Sequence, residues 1–277
     1  MATASNLRLV TLNSLDTKLA LTTDTTSGTL VAANLATDIK GDVWRATTTS
    51  GAITATWTAA QTINMVAIPF TNLTNAATMR VRGYTNVADA DGSPLFDTTA
   101  LACCPYATGA ITSPGVANFG YGGAVYSVLW FTGGSVKRIL VNIADSTNAA
   151  GYIEAGRLIC GDWFSPTNNA DYGLTMGYAD RSDHSRDGGG GLRTNQRTRN
   201  KSLKFNLANL SIADRATFFK MLRNGGKSAS IFISAFPIDS NASMVQDGMI
   251  YGRLSTLSMQ TYDRLLNFTQ SVEIEEI

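Results

Sequence analysis

One histidine occurs in the chain, His184, so any Ser-His-acid hydrolytic set would have to be built on it. It lies in ADRSDHSRDGGGGLRTNQRTRN (179–200), where Leu192 is the only large apolar side chain and Gly188–Gly191 form an unbroken run. A general base must be positioned before its pKa matters, and a Gly-rich polar loop gives it no frame. A solvated loop histidine fits better than a catalytic one. The same stretch imitates the start of a calcium loop, with Asp183, Ser185 and Asp187 at alternate positions and Gly188 next. The twelfth position of such a loop carries a bidentate glutamate; here it is Thr194, and Arg181, Arg186 and Arg193 crowd the region with positive charge. No metal is therefore expected.

Basic residues dominate this segment: Arg181, Arg186, Arg193, Arg197, Arg199 and Lys201. Nucleic acid would call for aromatic side chains interleaved with them, to stack bases. None is present, and the net charge of +1 gives no global pull towards a polyanion. A solvated loop is one reading of the strip; a contact with another subunit is the functional one, and these six residues are its candidates. Gly120-Tyr121-Gly122-Gly123 lacks the spacing and the strand-loop-helix setting of a phosphate loop, so no cofactor is expected. Of four tryptophans, Trp57 and Trp130 lie in strand patterns and read as core, while Trp44 and Trp163 stay open. A solvent-facing tryptophan beside polar loop residues would mark a sugar platform; buried ones would mark a scaffold.

These residues need a frame, and its most organised stretch is VKRILVNIADSTNAAGYIEAGRLICGDWFSP (136–166). Ile139, Val141 and Ile143 alternate with Arg138 and Asn142, which is a strand. The segment Ile153–Cys160 reads as a second strand, with Asp145–Asn148 turning between them. Upstream, Ile53, Ala55 and Trp57 alternate with threonines, Ile63–Phe70 is a compact apolar run, and Met79 and Val81 alternate with Arg80 and Arg82. Ala124–Phe131 is a further strand, which Gly133-Gly134 is expected to turn back. Residues 97–123 read as a long, nearly uncharged loop. Downstream, Leu203, Phe205 and Leu207 mark a strand. Ser211 caps a helix whose apolar face is Ile212, Ala216, Phe219 and Leu222, and Gly225-Gly226 end it.

The predicted fold is mainly β. An N-terminal segment (1–30) leads to an antiparallel β-sandwich of jelly-roll type (31–166). A C-terminal α+β domain (167–277) follows, with an antiparallel sheet, one helix and a long Gly/Arg-rich loop (180–200). Composition agrees: 44% of the 277 residues are hydrophobic and only 16% charged, against about 25% charged in an average domain. Thr, Ser, Asn and Gly carry the polar load, as in turn-rich β proteins whose surfaces meet other proteins. Three cysteines, Cys103, Cys104 and Cys160, are too few and too oddly spaced for a disulfide scaffold or a zinc site. Reduced thiols, synthesis in a cytoplasm and no membrane span are the expectations.

Two blocks resemble virion proteins of tailed bacteriophages. The first runs from Val43-Trp44-Arg45 through TWTAAQTINMVAIPFTNLTNAATMRVRGYT to the 136–166 stretch, and it looks like a galactose-binding-like (discoidin-type) sandwich. The second joins Arg199–Leu203, Asp214-Arg215 to Leu222, Phe236-Pro237 and the Glu-rich terminus, and is similar to a C-terminal domain of minor tail or baseplate proteins. The resemblance implies a non-enzymatic, ring-forming distal tail adaptor between tail tube and baseplate. It would be located in the virion tail, with further copies of itself and the tube and hub proteins as partners. Sandwiches of this type also bind glycans at loop tips, which implies a carbohydrate- or receptor-binding module as the alternative. The loop that would do so here, 97–123, shows no sugar-binding triad.

Overall fold

In the computed structural model, which describes residues 6–107, 125–264 and 267–277, the Thr-rich first half of the chain is drawn into two very long strands. In chain order the first ten strands are β1 (Arg8–Val10), β2 (Ala20–Thr23), β3 (Trp44–Arg45), β4 (Ser50–Thr71), β5 (Thr78–Tyr84), β6 (Phe96–Asp97), β7 (Leu101–Ala102), β8 (Val125–Ala144), β9 (Glu154–Ala155) and β10 (Ile159–Gly161). The pair β4–β8 is the spine of the sandwich, antiparallel from Ser50↔Ala144 to Thr71↔Val125. On its flanks, β5 joins β8, and β2, β9 and β10 join β4. Register breaks at Thr56/Gln61, Ile63/Met65 and Ile68/Thr71 mark the bulges by which such long strands bend around a core.

Alternation places the core as expected. Ile53, Ala55, Trp57, Met79, Val81, Ile139, Val141 and Ile143 are all buried in one cluster with Trp44 and Leu158. Two expectations fail. Gly133-Gly134 does not turn the chain; it lies within the continuous strand β8. A Cβ at Gly133 would stand 1.7 Å from the Ile63 carbonyl oxygen, so glycine marks a close backbone approach at a bulge and not a hairpin end. The segment Ile153–Cys160 is likewise no hairpin partner of β8. It breaks into β9, which pairs with β3, and β10, which pairs with β4.

The second half supplies β11 (Thr175–Asp180), β12 (Asp183–Arg186), β13 (Leu192–Asn195), β14 (Arg199–Leu210), α1 (Ile212–Gly225), β15 (Ser230–Ser234), α2 (Ala242–Asp247), β16 (Met249–Leu254), β17 (Thr261–Arg264) and β18 (Asn267–Glu276). Their sheet runs β1-β15-β16-β18-β14-β11, with β17 on β18. The N-terminal strand thus crosses over to become the edge of the C-terminal sheet, through Arg8↔Ser234 to Val10↔Phe232. Period-two alternation sends the sheet's residues two ways. Ile231, Ile233, Ile250 and Ile274 pack towards α1, whereas Phe232, Met249 and Tyr251 pack against Met65, Ala67, Tyr126 and Ile159 of the sandwich.

Helix α1 starts as predicted: Ser211 Oγ accepts from the Asp214 amide at 3.1 Å, and Gly226, at φ 52°, ends it. Its buried side differs from the expected one. Phe218, with Met221 and Leu222 beside it, enters the core, while Ile212 and Phe219 are exposed. Arg215 covers the Phe219 ring at 5.3 Å. The helix is rotated because the Asp214 carboxylate is drawn inward, where it accepts from the Thr167 amide at 3.0 Å.

Polar groups lock the two halves together. The Glu276 carboxylate accepts from Lys40 Nζ (2.9 Å), Tyr126 Oη (2.5 Å) and the Lys201 amide (3.2 Å). Asp38, on the sandwich, accepts from Ser230 Oγ (2.6 Å), Tyr251 Oη (2.7 Å) and Arg253 (3.2 Å). Gln246 and the Tyr126 backbone exchange two further bonds. The bonds to the Glu276 carboxylate, buried and charge-assisted, are of the strong kind, and with the others they fix the junction.

Candidate functional site

The Gly/Arg-rich stretch, expected as a loop, is a β-ribbon. Strands β12 and β13 pair from Asp183↔Asn195 to Arg186↔Leu192, carrying the β11–β14 pair outward beyond the sheet. The turn at its tip is made by Asp187, whose carboxylate accepts from the Gly189 amide (3.2 Å) and the Gly191 amide (2.8 Å). Gly190 takes φ 83° there, a left-handed conformation that suits glycine. Asp187 is occupied by turn amides, Asp183 pairs with Arg197 at 3.0 Å, and no cluster of three His, Cys, Asp or Glu side chains occurs among the described residues. His184 faces Thr194 Oγ1 at 3.0 Å on an exposed strand.

Five of the six candidate contact residues stand on this arm or at its root, exposed or nearly so. Arg181 pairs with Glu275, Arg199 with Asp180 (3.3 Å), Arg193 with Asp187 (3.5 Å), and Arg186 donates to the Gly190 carbonyl (2.8 Å). Exposed pairs of this kind contribute about 0–1 kcal/mol each and give way readily to a better partner. Lys201 is the exception: expected as a contact residue, it is buried. It is 6% exposed, and its ammonium donates to the carbonyls of Gln246 (3.2 Å) and Met249 (2.9 Å). Burial pulls its pKa down to about 8. Lys201 therefore serves the junction and cannot reach a partner. The sequence held a signal for this: Lys201 is in phase with buried Leu203, Phe205 and Leu207 on β14.

A cleft of about 570 Å³, which the sequence did not suggest, opens between the sandwich and α1. Its sandwich wall includes Gln61, Thr62, Asp162, Trp163 and Phe164; α1 presents Thr217, Lys220, Met221 and Asn224, spaced to lie on one helical face. Leu9 lines the floor where Leu9 and Phe164 exchange two 2.8 Å backbone bonds. Trp163 is held edge-on to Trp130 at 6.2 Å, and the Arg8 guanidinium covers both rings, at 4.2 Å from Trp163 and 4.9 Å from Trp130. Asp162 Oδ1 accepts from Asn64 Nδ2 at 2.7 Å. The other two tryptophans, Trp44 and Trp57, are fully buried.

All three cysteines are free and buried, and burial pushes the thiols of Cys103 and Cys160 up to about 12. Most of the 97–123 loop, Gly120–Gly123 included, falls outside the described residues. No helix among the described residues is long and apolar enough to cross a membrane.

No protein-family profile matches the chain, and no curated protein matches it. Solved structures show a weak likeness to part of the chain. A CBM32 from Clostridium perfringens in complex with GalNAc-β-1,3-galactose is 11% identical, covering 52% of this chain and 94% of its own, at a TM-score of 0.36. A fucose binding module from Streptococcus pneumoniae is 13% identical over 55% and 95%, at 0.35. Chitosan-binding module 1 of a chitosanase/glucanase from Paenibacillus sp. IK-5 is 16% identical over 55% and 99%, at 0.36. Likeness at this level carries no inference about this chain's ligand or role.

Proposed function

We propose that the protein is a non-enzymatic structural subunit of a tailed-bacteriophage tail tip or baseplate, assembling into a ring as an adaptor between tube and baseplate. The observation that carries the assembly role is the arm. Every residue of β12 and β13 is exposed, and an isolated two-stranded ribbon is marginal in water. A ribbon with five arginines and no core of its own is suited to being covered by a neighbour. The virion setting rests on the sequence resemblance. Buried Trp44 and Trp57, and Trp130 and Trp163 engaged by Arg8, favour a scaffold over a sugar platform.

A second reading, a carbohydrate- or receptor-binding module, has one observation in its favour: the cleft sets Trp163 and Phe164 beside Asp162, Gln61 and Asn224, an apolar wall with a few polar groups. The glycans named with the solved sandwiches belong to those proteins. Light scattering after gel filtration, with negative-stain imaging, separates the two. Rings, or a monomer that forms rings when concentrated, are expected, and Arg193, Arg197 and Arg199 replaced together by Ala should weaken them. A strict monomer or compact trimer would turn the choice to glycan binding, with a glycan array next.

A further inference from the structure

We propose that the arm tip of one copy docks in the cleft of the next, with Leu192 seated on the apolar floor. The inference rests on the assembly reading above and names its interface. Arm and cleft occupy opposite edges of one sheet: the arm continues β11 and β14, and the cleft is lined by Leu9 of β1. Six strands in the order β1-β15-β16-β18-β14-β11 put those edges roughly 24 Å apart at about 4.8 Å per strand. The seven-residue reach from Asp180 to Asp187 carries the tip on the order of 20 Å outward. A projection on one edge and a recess on the other is the head-to-tail arrangement that closes into a ring when the rotation permits.

The chemistry matches as well. Leu192, 61% exposed, is the arm's one large apolar side chain, and Leu9, Phe164, Met221 and Ala229 give the cleft an apolar floor. Arg186 stands directly across the ribbon from Leu192, and Arg193 and Asp187 flank it. The rim offers both complementary charges. Asp162 uses Oδ1 for Asn64 and its own neighbour's amide, leaving Oδ2 without a donor among the described residues. Lys220 has no ion pair among them. An Arg186 or Arg193 contact to Asp162, and an Asp187 contact to Lys220, would satisfy both. The arm's internal pairs are weak enough to exchange.

The test uses the full chain. A mixture of the Leu192→Cys and Met221→Cys proteins, mildly oxidised at ring-forming concentration, should give a covalent dimer that neither variant gives alone; the native thiols are buried and do not compete. Leu192→Asp, on an exposed tip where folding is not at stake, should lower the assembled fraction at least ten-fold. If Leu192→Asp assembles normally while the triple arginine variant does not, the arm mediates assembly through another surface and the cleft docking is overturned. If neither change matters, the assembly reading falls too. A glycan that binds the wild type and loses at least ten-fold affinity on Lys220→Ala would assign the cleft to a sugar, and would equally overturn the proposal.

Discussion

Replacing Lys201 by Met should stabilise the protein at neutral pH, by an amount that shrinks as the pH rises. The Lys201 ammonium is buried at the domain junction, and burial lowers its pKa from 10.5 to about 8. Below about pH 8 both folded and unfolded chains carry the proton, and the native state bears the whole cost of the shift, about 3 kcal/mol. Between about pH 8 and the ordinary lysine value, the unfolded chain binds more protons than the native one, so this group's contribution to stability rises with pH. Methionine has a similar reach and carries no charge. It also leaves the carbonyls of Gln246 and Met249 without the donor they have now, at about 1 kcal/mol each. The Gln246 carbonyl keeps the Gly248 amide, which limits that loss. The net expectation is that Lys201→Met is more stable by about 1–2 kcal/mol at pH 7, as when other buried charges give way to apolar groups.

The assay is urea unfolding of both proteins at about pH 7 and about pH 9, reading the gap between their stabilities. The buried thiols and tyrosines of the two proteins titrate alike, so they cancel in that gap. With the pKa values above, the gap should narrow by about 1 kcal/mol over this range. A gap that stays constant or widens would refute the argument, because it would mean that the native ammonium is not being desolvated.

Two further substitutions test the frame. Gly133→Ala puts a Cβ 1.7 Å from the Ile63 carbonyl oxygen and should cost roughly 3 kcal/mol or more by forcing β4 and β8 apart, seen as a large drop in thermal midpoint. Asp145→Ala removes a buried carboxylate that accepts from the Thr74 amide (2.7 Å), Thr74 Oγ1 (2.6 Å) and Asn148 Nδ2 (3.2 Å). Stranding those donors should cost roughly 3 kcal/mol in a denaturant melt.

What was legible in the sequence follows physical lines. Period-two alternation found the buried positions of β4, β5, β8 and β14, because a strand's two faces are written directly into residue order. Ser211 and Gly226 marked the helix ends because caps are local chemistry. What failed was non-local. That Arg8–Val10 would pair with Phe232–Ser234 depends on a meeting of residues more than two hundred positions apart, and nothing in the Thr-rich N-terminus announces it. Gly133-Gly134 looked like a turn because glycine serves both turns and close backbone approaches, and only the partner strand decides which. The buried face of α1 was misjudged because Ile212 and Phe219 obey helical spacing as well as Phe218 and Leu222 do. The inward pull on Asp214 settled it. The arm's arginines were legible as a group, but their arrangement on a ribbon was not, since alternating polar residues such as Asp183–Arg186 carry no hydrophobic period.

The cleft and the arm differ in how much order each brings to an encounter, and this bears on how assembly would proceed. The cleft's two walls belong to different domains, yet Glu276, Asp38 and Gln246 bond across the junction from both sides, and Arg8 holds the Trp130–Trp163 pair in place. A recess with walls so fixed is formed before any partner arrives, and a preformed site loses little conformational entropy on binding. The arm is the opposite case: exposed on both faces, turned by glycines, its charges held only in solvent-facing pairs. Ordering on assembly therefore falls almost wholly on the ribbon, about twenty residues of the chain. Two copies should then meet slowly and weakly when isolated, with stability gained as ring closure lets each copy receive one arm and give another.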